Sequence, residues 1–383
     1  MLDFAYVNPT KILFGAGCIA KLGKEIPADA HVLVTYGGGS AERNGTLAEV
    51  EAALPGRRIS RFGGIEPNPT YETLMRAVEQ ARRDGVDFLL AVGGGSVIDG
   101  TKFIAAAIPF EGEPWDILAR QARVTRAVPL GVVLTLPATG SESNAFAVIS
   151  RAATQDKLAF STPKVFPRVA ALDPARTFSL PERQVANGIV DAFVHVIEQY
   201  LTYPADAPLQ DRLAEGILLT LIEEGPKTLA DPTAPGPRGN LMWCATLGLN
   251  GLIGAGVPQD WATHLIGHEI TALTGLDHGR TLAIVLPALL DVRREAKRAK
   301  LIQFGRRVWG LSGDDDTVID QAIARTRAFF ESLGVATRLS AAGLAPDLVE
   351  RIPERLTAHG LTALGERQDI GPDTVAEILR RAL

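Results

Sequence analysis

Cysteine is nearly absent from this chain of 383 residues: only Cys18 and Cys244 occur, far apart and each in an apolar stretch. Two such thiols exclude a thiolate zinc cluster and fit a reducing compartment, so cytoplasmic residence is expected. Any bound metal must then be held by His, Asp and Glu. Long hydrophobic runs are missing as well. The strongest, TLAIVLPALL, is ten residues long and contains a proline, well short of the roughly 18 that a membrane helix needs. Positive charge is not in excess, since the net charge is -5, and no overall basic field exists to recruit nucleic acid or an anionic membrane. The basic cluster from Arg293 to Lys300 reads as a solvated helix face. The first residues, MLDFAYVNPTK, lack a basic segment followed by an apolar core, so a secretory signal is not expected.

What is present is ordinary globular composition, 46% hydrophobic and 22% charged, with length for two buried cores. Strand and helix signals alternate over the first part of the chain. HVLVTY (31–36) is a β-branched run ending in GGGS, RISRF (58–62) is a second strand, and DFLLAV (87–92) is a third, again followed by GGGS. Between them, PNPTYETLMRAVEQARRDG carries Leu74, Ala77, Val78 and Ala81 at helical spacing before Gly85 stops it. VIDGTKFIAAAI reads as a helix and PLGVVLTLP as another strand. This rhythm predicts crossover connections and a mostly parallel, doubly wound Rossmann-like α/β domain over residues 1–176. Past LDPARTFSLPERQ the strand signals fade. Long helical patterns take over, which predicts an all-helical domain over 177–383, with the proline-rich ADPTAPGPRGN (230–240) as a loop and the basic helices after 290 as an outer layer.

Both GGGS copies sit after a strand and before a helix. In an open parallel sheet that is the ligand-binding edge, because helix N-termini there present unpaired backbone N–H groups. Glycine lets a phosphate approach the backbone closely, although a tight strand-to-helix turn requires glycine without any ligand. Gly94, Gly95 and Ser96 are thus pyrophosphate candidates, with Asp99 one turn into the helix. The loop Gly37, Gly38, Gly39, Ser40 lacks the carboxylate that accepts from a ribose 2'-hydroxyl in NAD-selective sites and would repel a 2'-phosphate. With Arg43 three residues on, it favours NADP(H), unless Glu42 points inward. A third turn, TLPATGSESN (135–144), is rich in hydroxyls and reads as a further wall of a nucleotide site.

Two helical segments carry polar groups in apolar surroundings. VANGIVDAFVHVIEQYL is apolar nearly all round and is therefore buried, yet Asp191, His195 and Glu198 form a stripe on it. A buried carboxylate needs a partner. Asp191 and His195 can satisfy each other, but DWATHLIGHEITALTG adds His264 and His268 four apart, with His278 just beyond its end. Four of the six histidines thus fall on buried segments of one domain. Aspartate with several neutral imidazoles suits zinc or ferrous iron. Spacing does not choose which histidine stays free, because Asp260, His264 and His268 also share one helical stripe.

The motifs YGGGS, VGGGSVIDGTKFIA, LPATGSE, DKLAF, LPERQVANGIVDAFVHVIEQY, NGLIGAGVPQDWATHLIGHEITALTGLDHG and TLAIVLPALL together resemble the iron-containing, group III alcohol dehydrogenases over essentially the whole chain, nearest to the bacterial NADPH-dependent aldehyde reductase and butanol dehydrogenase branch. The resemblance implies a dehydroquinate synthase-like architecture with a cleft between the two domains. It implies one divalent metal, Zn or Fe, ligated by Asp191, His195, His264 and His278, with His268 left near the nicotinamide. It also implies NADP(H) contacts from Gly37, Gly38 and Ser40 at the 2'-phosphate, Gly94, Gly95 and Ser96 at the pyrophosphate, Thr135 or Thr139 in the third loop, and Lys157 at the nicotinamide ribose. Ala138 stands where the family commonly has the first glycine of G-T-G-S-E, a departure confined to loop detail.

The function expected is NADPH-dependent reduction of a broad range of small aldehydes to primary alcohols by a homodimer, with no nucleic-acid or membrane partner. His268 is the expected proton donor or relay, and Glu198 or a backbone carbonyl the group that orients a ligand imidazole. The rival readings are a polyol dehydrogenase or a dehydroquinate-synthase-like lyase on the same plan, a metal-dependent hydrolase using no dinucleotide, and a non-catalytic nucleotide-binding protein. A lyase acting on a phosphorylated, carboxylated substrate would need a cluster of Lys and Arg that the buried helices do not carry.

Overall fold

A computed structural model describes all residues, 1–383. The β-branched runs form strands where expected. The strands are β1 (Lys11–Phe14), β2 (His31–Tyr36), β3 (Arg58–Phe62), β4 (Phe88–Gly94), β5 (Leu130–Leu136), β6 (Phe146–Arg151), β7 (Asp156–Ser161) and β8 (Val169–Leu172). Six make a sheet in the order β1-β8-β5-β4-β2-β3, with every pairing parallel. β6 and β7 form a separate antiparallel pair.

A parallel sheet must be covered on both faces, and alternate side chains divide accordingly. Val32 and Val34 of β2, with Phe88, Leu90 and Val92 of β4, enter one core cluster with Leu47, Val50 and Leu22. Leu33, Leu89 and Ala91 enter the other, with Leu74, Val78, Ile98 and Phe103. The Tyr71–Asp84 helix supplies part of that second layer. Thr70 caps its start, its side chain accepting from Thr73 N, and Gly85 at φ 70° ends it. The doubly wound α/β expectation is met.

The chain runs outward from β2 to β3 and then returns to place β4 on the other side of β2. The order reverses between β2 and β4, and at such a switch point the loops beyond the strand C-termini diverge and leave a crevice. Both GGGS segments lie there.

The α/β unit comprises Val7–Leu180 together with Pro232–Thr246, and the helical unit comprises Met1–Tyr6, Pro181–Asp231 and Leu247–Leu383. The Glu182–Tyr200 helix is buried along almost its whole length, as its all-round apolarity requires. No helix is long and apolar enough to cross a membrane.

Three local expectations are corrected. The segment 230–240 is not a loop throughout: a helix spans Pro235–Gly248, because proline at a helix start gives up an N–H that has no partner there anyway. Asp260 does not share a helical stripe with His264 and His268, since Trp261 has φ 64° and the helix begins at Ala262. The run Arg293 to Lys300 is not a solvated face. Lys297 and Lys300 are 2% and 5% exposed. Lys297 Nζ pairs with Asp260 at 2.7 Å and Glu366 at 3.0 Å and donates to Leu201 O at 2.7 Å. Lys300 pairs with Asp211 and lies 4.5 Å over the Tyr200 ring. A lysine can be buried when each of its donors is met.

Candidate functional site

In the helical unit, the Glu182–Tyr200 helix presents Asp191 and His195 one turn apart, the Ala262–Thr274 helix presents His264, and the His278–Val292 helix begins at His278. Asp191 Oδ1 is the common neighbour. It lies 3.6 Å from His195 Nδ1, 3.9 Å from His264 Nε2 and 3.6 Å from His278 Nε2. Metal-ligand bonds of about 2.0–2.2 Å in tetrahedral array put neighbouring ligand atoms roughly 3.3–3.6 Å apart, close to this spacing. The atoms of Asp191, His195 and His264 all lie within 4.8 Å of one another.

His195 Nδ1 and His264 Nε2 are buried with no hydrogen-bond partner. Orphaned polar atoms at such a depth are costly, and two converging beside a carboxylate oxygen form a donor set suited to a cation. Burial, reinforced by the adjacent His264 ring, holds the His195 pKa well below the usual imidazole range. The ring is therefore neutral, the state a metal ligand requires. These residues fit a single divalent metal held by nitrogen and oxygen.

Glu198 lies one turn beyond His195. Its Oε2 contacts His264 Nδ1, and Oε1 accepts from Thr263 N at 2.6 Å. With the carboxylate accepting from Nδ1, the imidazole turns its Nε2 lone pair towards Asp191, an arrangement that fixes tautomer and ring orientation in metal sites. Burial raises the Glu198 carboxyl pKa, an effect the His264 ring opposes. His268 is half-buried and stands outside the group around Asp191, its ring 5.1 Å from that of His278 and 6.2 Å from that of His264. Glu269 is engaged elsewhere, its carboxylate bound to Arg355 Nε at 2.6 Å and His359 Nδ1 at 2.7 Å.

In the α/β unit, β4 runs into the Gly95–Ala107 helix with no connecting loop, and Gly94 caps that helix without a side-chain hydrogen bond. Its first N–H groups are left for an anion. Glycine is required here by space: a Cβ on Gly94 would stand 2.9 Å from Leu136 Cβ, and one on Gly95 2.7 Å from the Thr139 side chain. Thr139 of the third loop thus lies directly against the glycine turn. Thr135 is on β5.

After β2, Gly39 adopts φ 89° and caps the short Ser40–Arg43 helix. Arg43 is exposed and folds back over this loop, Nη1 donating to Gly38 O at 3.4 Å. Glu42 is exposed and lies 3.8 Å from Arg61. The loop therefore has a cation over it, and its nearest acid is occupied outside. These groups suit a phosphorylated ribose.

Lys157 Nζ donates to Asn68 Oδ1 at 2.9 Å, and Asn68 N, at φ 55°, donates to Ser96 Oγ at 3.4 Å. Asn68 thus bridges two candidate cofactor residues, and the sequence reading missed it. The only signal was Pro67-Asn68-Pro69, which reads as a turn. Asp99 has both carboxylate oxygens engaged by the chain: Ser141 Oγ donates to one at 2.6 Å and Val148 N to the other at 2.9 Å. Beside it, Lys102 donates to Ser141 Oγ, Asn144 Oδ1 and Phe146 O at 2.7–2.9 Å. These two residues pin the third loop onto the helix that starts at the glycine turn.

Models of two families match the chain. One, for iron-containing alcohol dehydrogenases, covers residues 9–174, and one for the C-terminal part of the Fe-containing alcohol dehydrogenase family covers 185–383. The NADPH-dependent aldehyde reductase YqhD of Escherichia coli K12 is 58% identical, with 100% of each chain aligned. The NADH-dependent butanol dehydrogenase A of Clostridium acetobutylicum is 35% identical, again over 100% of each. Among solved structures, that of E. coli K-12 YqhD superposes with a TM-score of 0.99 at 58% identity, covering 100% of this chain and 99% of the other. The NADH-dependent butanol dehydrogenase A of Thermotoga maritima gives 0.96 at 33% identity, covering 100% and 99%.

Proposed function

The chain belongs to the iron-containing alcohol dehydrogenase family, and from that premise we propose that it is a metal-dependent, NADPH-dependent reductase of aldehydes to primary alcohols, reversible as an alcohol dehydrogenase. One aldehyde, one NADPH and one proton give one primary alcohol and NADP+. The observation that carries the reading is the convergence of His195, His264 and His278 nitrogens at 3.6–3.9 Å from a single oxygen of Asp191. A bound divalent metal, zinc or iron, supplies Lewis acidity that stabilises the negative charge developing on the carbonyl oxygen. NADPH supplies the hydride.

The chain's own groups do the rest. Asp191, His195, His264 and His278 are the ligands. Glu198 keeps the His264 imidazole in the tautomer that offers Nε2. Gly94, Gly95 and Ser96 take the pyrophosphate on uncapped backbone N–H groups, and Gly37 to Ser40 with Arg43 take the 2'-phosphate. Thr135, Thr139 and Lys157 lie along the remainder of the cofactor, with Asn68 orienting Lys157. Asp99, its oxygens already engaged, acts by holding Ser141 and the third loop. His268 lies close to the ligand set without belonging to it, and returns a proton to the product oxygen, directly or through water.

The preference for NADPH rests on the missing acid, on the exposed Arg43, and on the named cofactor of the relative at 58% identity. More distant relatives at 35% are named for NADH. The substrate range is broad, the enzyme is a cytoplasmic homodimer, and zinc and iron compete for the site according to supply. Metal analysis coupled to an aldehyde panel with both cofactors tests the reading. The expected result is one metal per chain and faster butanal reduction with NADPH than with NADH. Undiminished activity after full chelation would remove the metal from the mechanism, and a clear NADH preference would refute the assignment of the 37–40 loop.

A further inference from the structure

Trp261 is the single bulky residue among the six non-glycine positions with positive φ; the others are Asn, Gln or Asp. A β-carbon makes the left-handed region unfavourable, and a bulky side chain persists there only when its surroundings over-determine it. Here they do. On one side Asp260 N donates to Glu198 O at 2.8 Å, and Asp260 Oδ1 accepts from Ala262 N at 3.0 Å across the tryptophan. Asp260 Oδ2 is held at 2.7 Å by the buried Lys297, which Glu366 secures from its far side. On the other side Thr263 N donates to Glu198 Oε1. The backbone around Trp261 is therefore clamped to Glu198, through its main-chain carbonyl on one side and, on the other, through the carboxylate that orients His264.

The clamp aims the indole at the ligand imidazoles. Its ring centroid lies 5.3 Å from that of His264 and 6.2 Å from that of His195, edge-on to both. The indole N–H is already used, donating to Gln259 Oε1 at 2.9 Å, so the half-buried ring offers only apolar surface. The side chains that converge beside it, Asp191, His195, His264, His268 and His278, are polar. An aldehyde whose oxygen is drawn to the ligand set still carries an alkyl chain that seeks apolar surface.

We propose that Trp261 is the apolar wall along which the alkyl chain of the substrate lies, and that it sets chain-length selectivity. This rests on the aldehyde reductase reading. Hydrophobic pockets discriminate about tenfold or more per methylene, so truncating the wall flattens the response to chain length.

The experiment compares wild type, Trp261→Phe and Trp261→Ala, each cobalt-loaded and checked for metal content, on propanal, butanal and hexanal with NADPH. The kcat/KM ratio of hexanal to propanal is expected to fall about tenfold in Trp261→Ala and by an intermediate amount in Trp261→Phe. Cobalt(II) added to the metal-free protein is expected to quench tryptophan emission in wild type, and Trp261→Phe to lose most of that quenching. An unchanged ratio in variants that hold metal normally overturns the proposal, as does a rise, which would make the indole a size gate. If Trp261→Ala does not fold, the ratio in Trp261→Phe decides. A wild type that holds metal and shows the quenching but reduces no aldehyde defeats the reductase reading itself, which the variant ratios do not address.

Discussion

His268 and His264 lie one turn apart on the same helix, yet their surroundings differ. His264 is buried with Nδ1 against Glu198 and Nε2 facing Asp191, whereas His268 is half-buried beside His278. Replacing Asp191 or His264 by Ala removes a proposed ligand and is expected to abolish metal retention and butanal reduction together, read as metal per chain after gel filtration and as NADPH oxidation. His268→Gln is expected to hold metal at wild-type stoichiometry while kcat falls about 10²–10⁴-fold, the usual contribution of a positioned proton donor, with loss of one limb of the pH profile. If it loses metal instead, the ligand set is wrong. Spacing alone did not separate these two histidines. What separates them is Glu198, which reaches His264 from a different helix, a contact between residues 66 apart that no local pattern encodes.

At the scale of elements, the strands and the glycine turns were legible because β-branched runs and GGGS are local signals. The Asp260 to Lys300 region was not. Its charges suggested a wet surface, but Lys297 is buried between Asp260 and Glu366, residues 37 and 69 positions away. Asp260 fell outside its expected helix because that clamp holds Trp261 in a conformation its own propensity opposes. Lys297→Met strands two buried carboxylates, and about 3–5 kcal/mol of stability is expected to be lost in urea unfolding. Lys102 gives the α/β unit a pH dependence. Burial pushes its ammonium down from the ordinary 10.5 to about 8. The unfolded chain then binds more protons than the folded one between those values, so this residue makes stability rise with pH from about 8 towards 10.5. Comparing urea midpoints at pH 8 and pH 10 should show a more positive change for wild type than for Lys102→Met. Equal changes would mean that Lys102 is not deprotonated in that range.

For the whole molecule, the proposed metal ligands come from three helices of one unit, so an ion bound there would cross-link the native state and have no equivalent site in the unfolded chain. Ligand at about 100 times its dissociation constant adds roughly 2.7 kcal/mol. Chelation is therefore expected to lower the melting temperature in calorimetry, and zinc or ferrous iron to restore it. A thermogram unmoved by chelator would show that the site is empty as purified or contributes no cross-link.

The sheet order has a consequence during synthesis. β1 forms its register with β8, Lys11 opposite Val169, so of the strands in this sheet the one made earliest waits for the one made latest. The wait lasts roughly ten to thirty seconds at ordinary elongation rates. Closure comes later still, because Met242 enters the α/β core and Trp243 packs edge-on against Phe14 at 6.1 Å, and both follow the first helices of the other unit. A nascent chain arrested before residue 242 thus lacks both of these contacts and leaves apolar surface of the α/β unit uncovered, the condition that exposes an incomplete fold to aggregation.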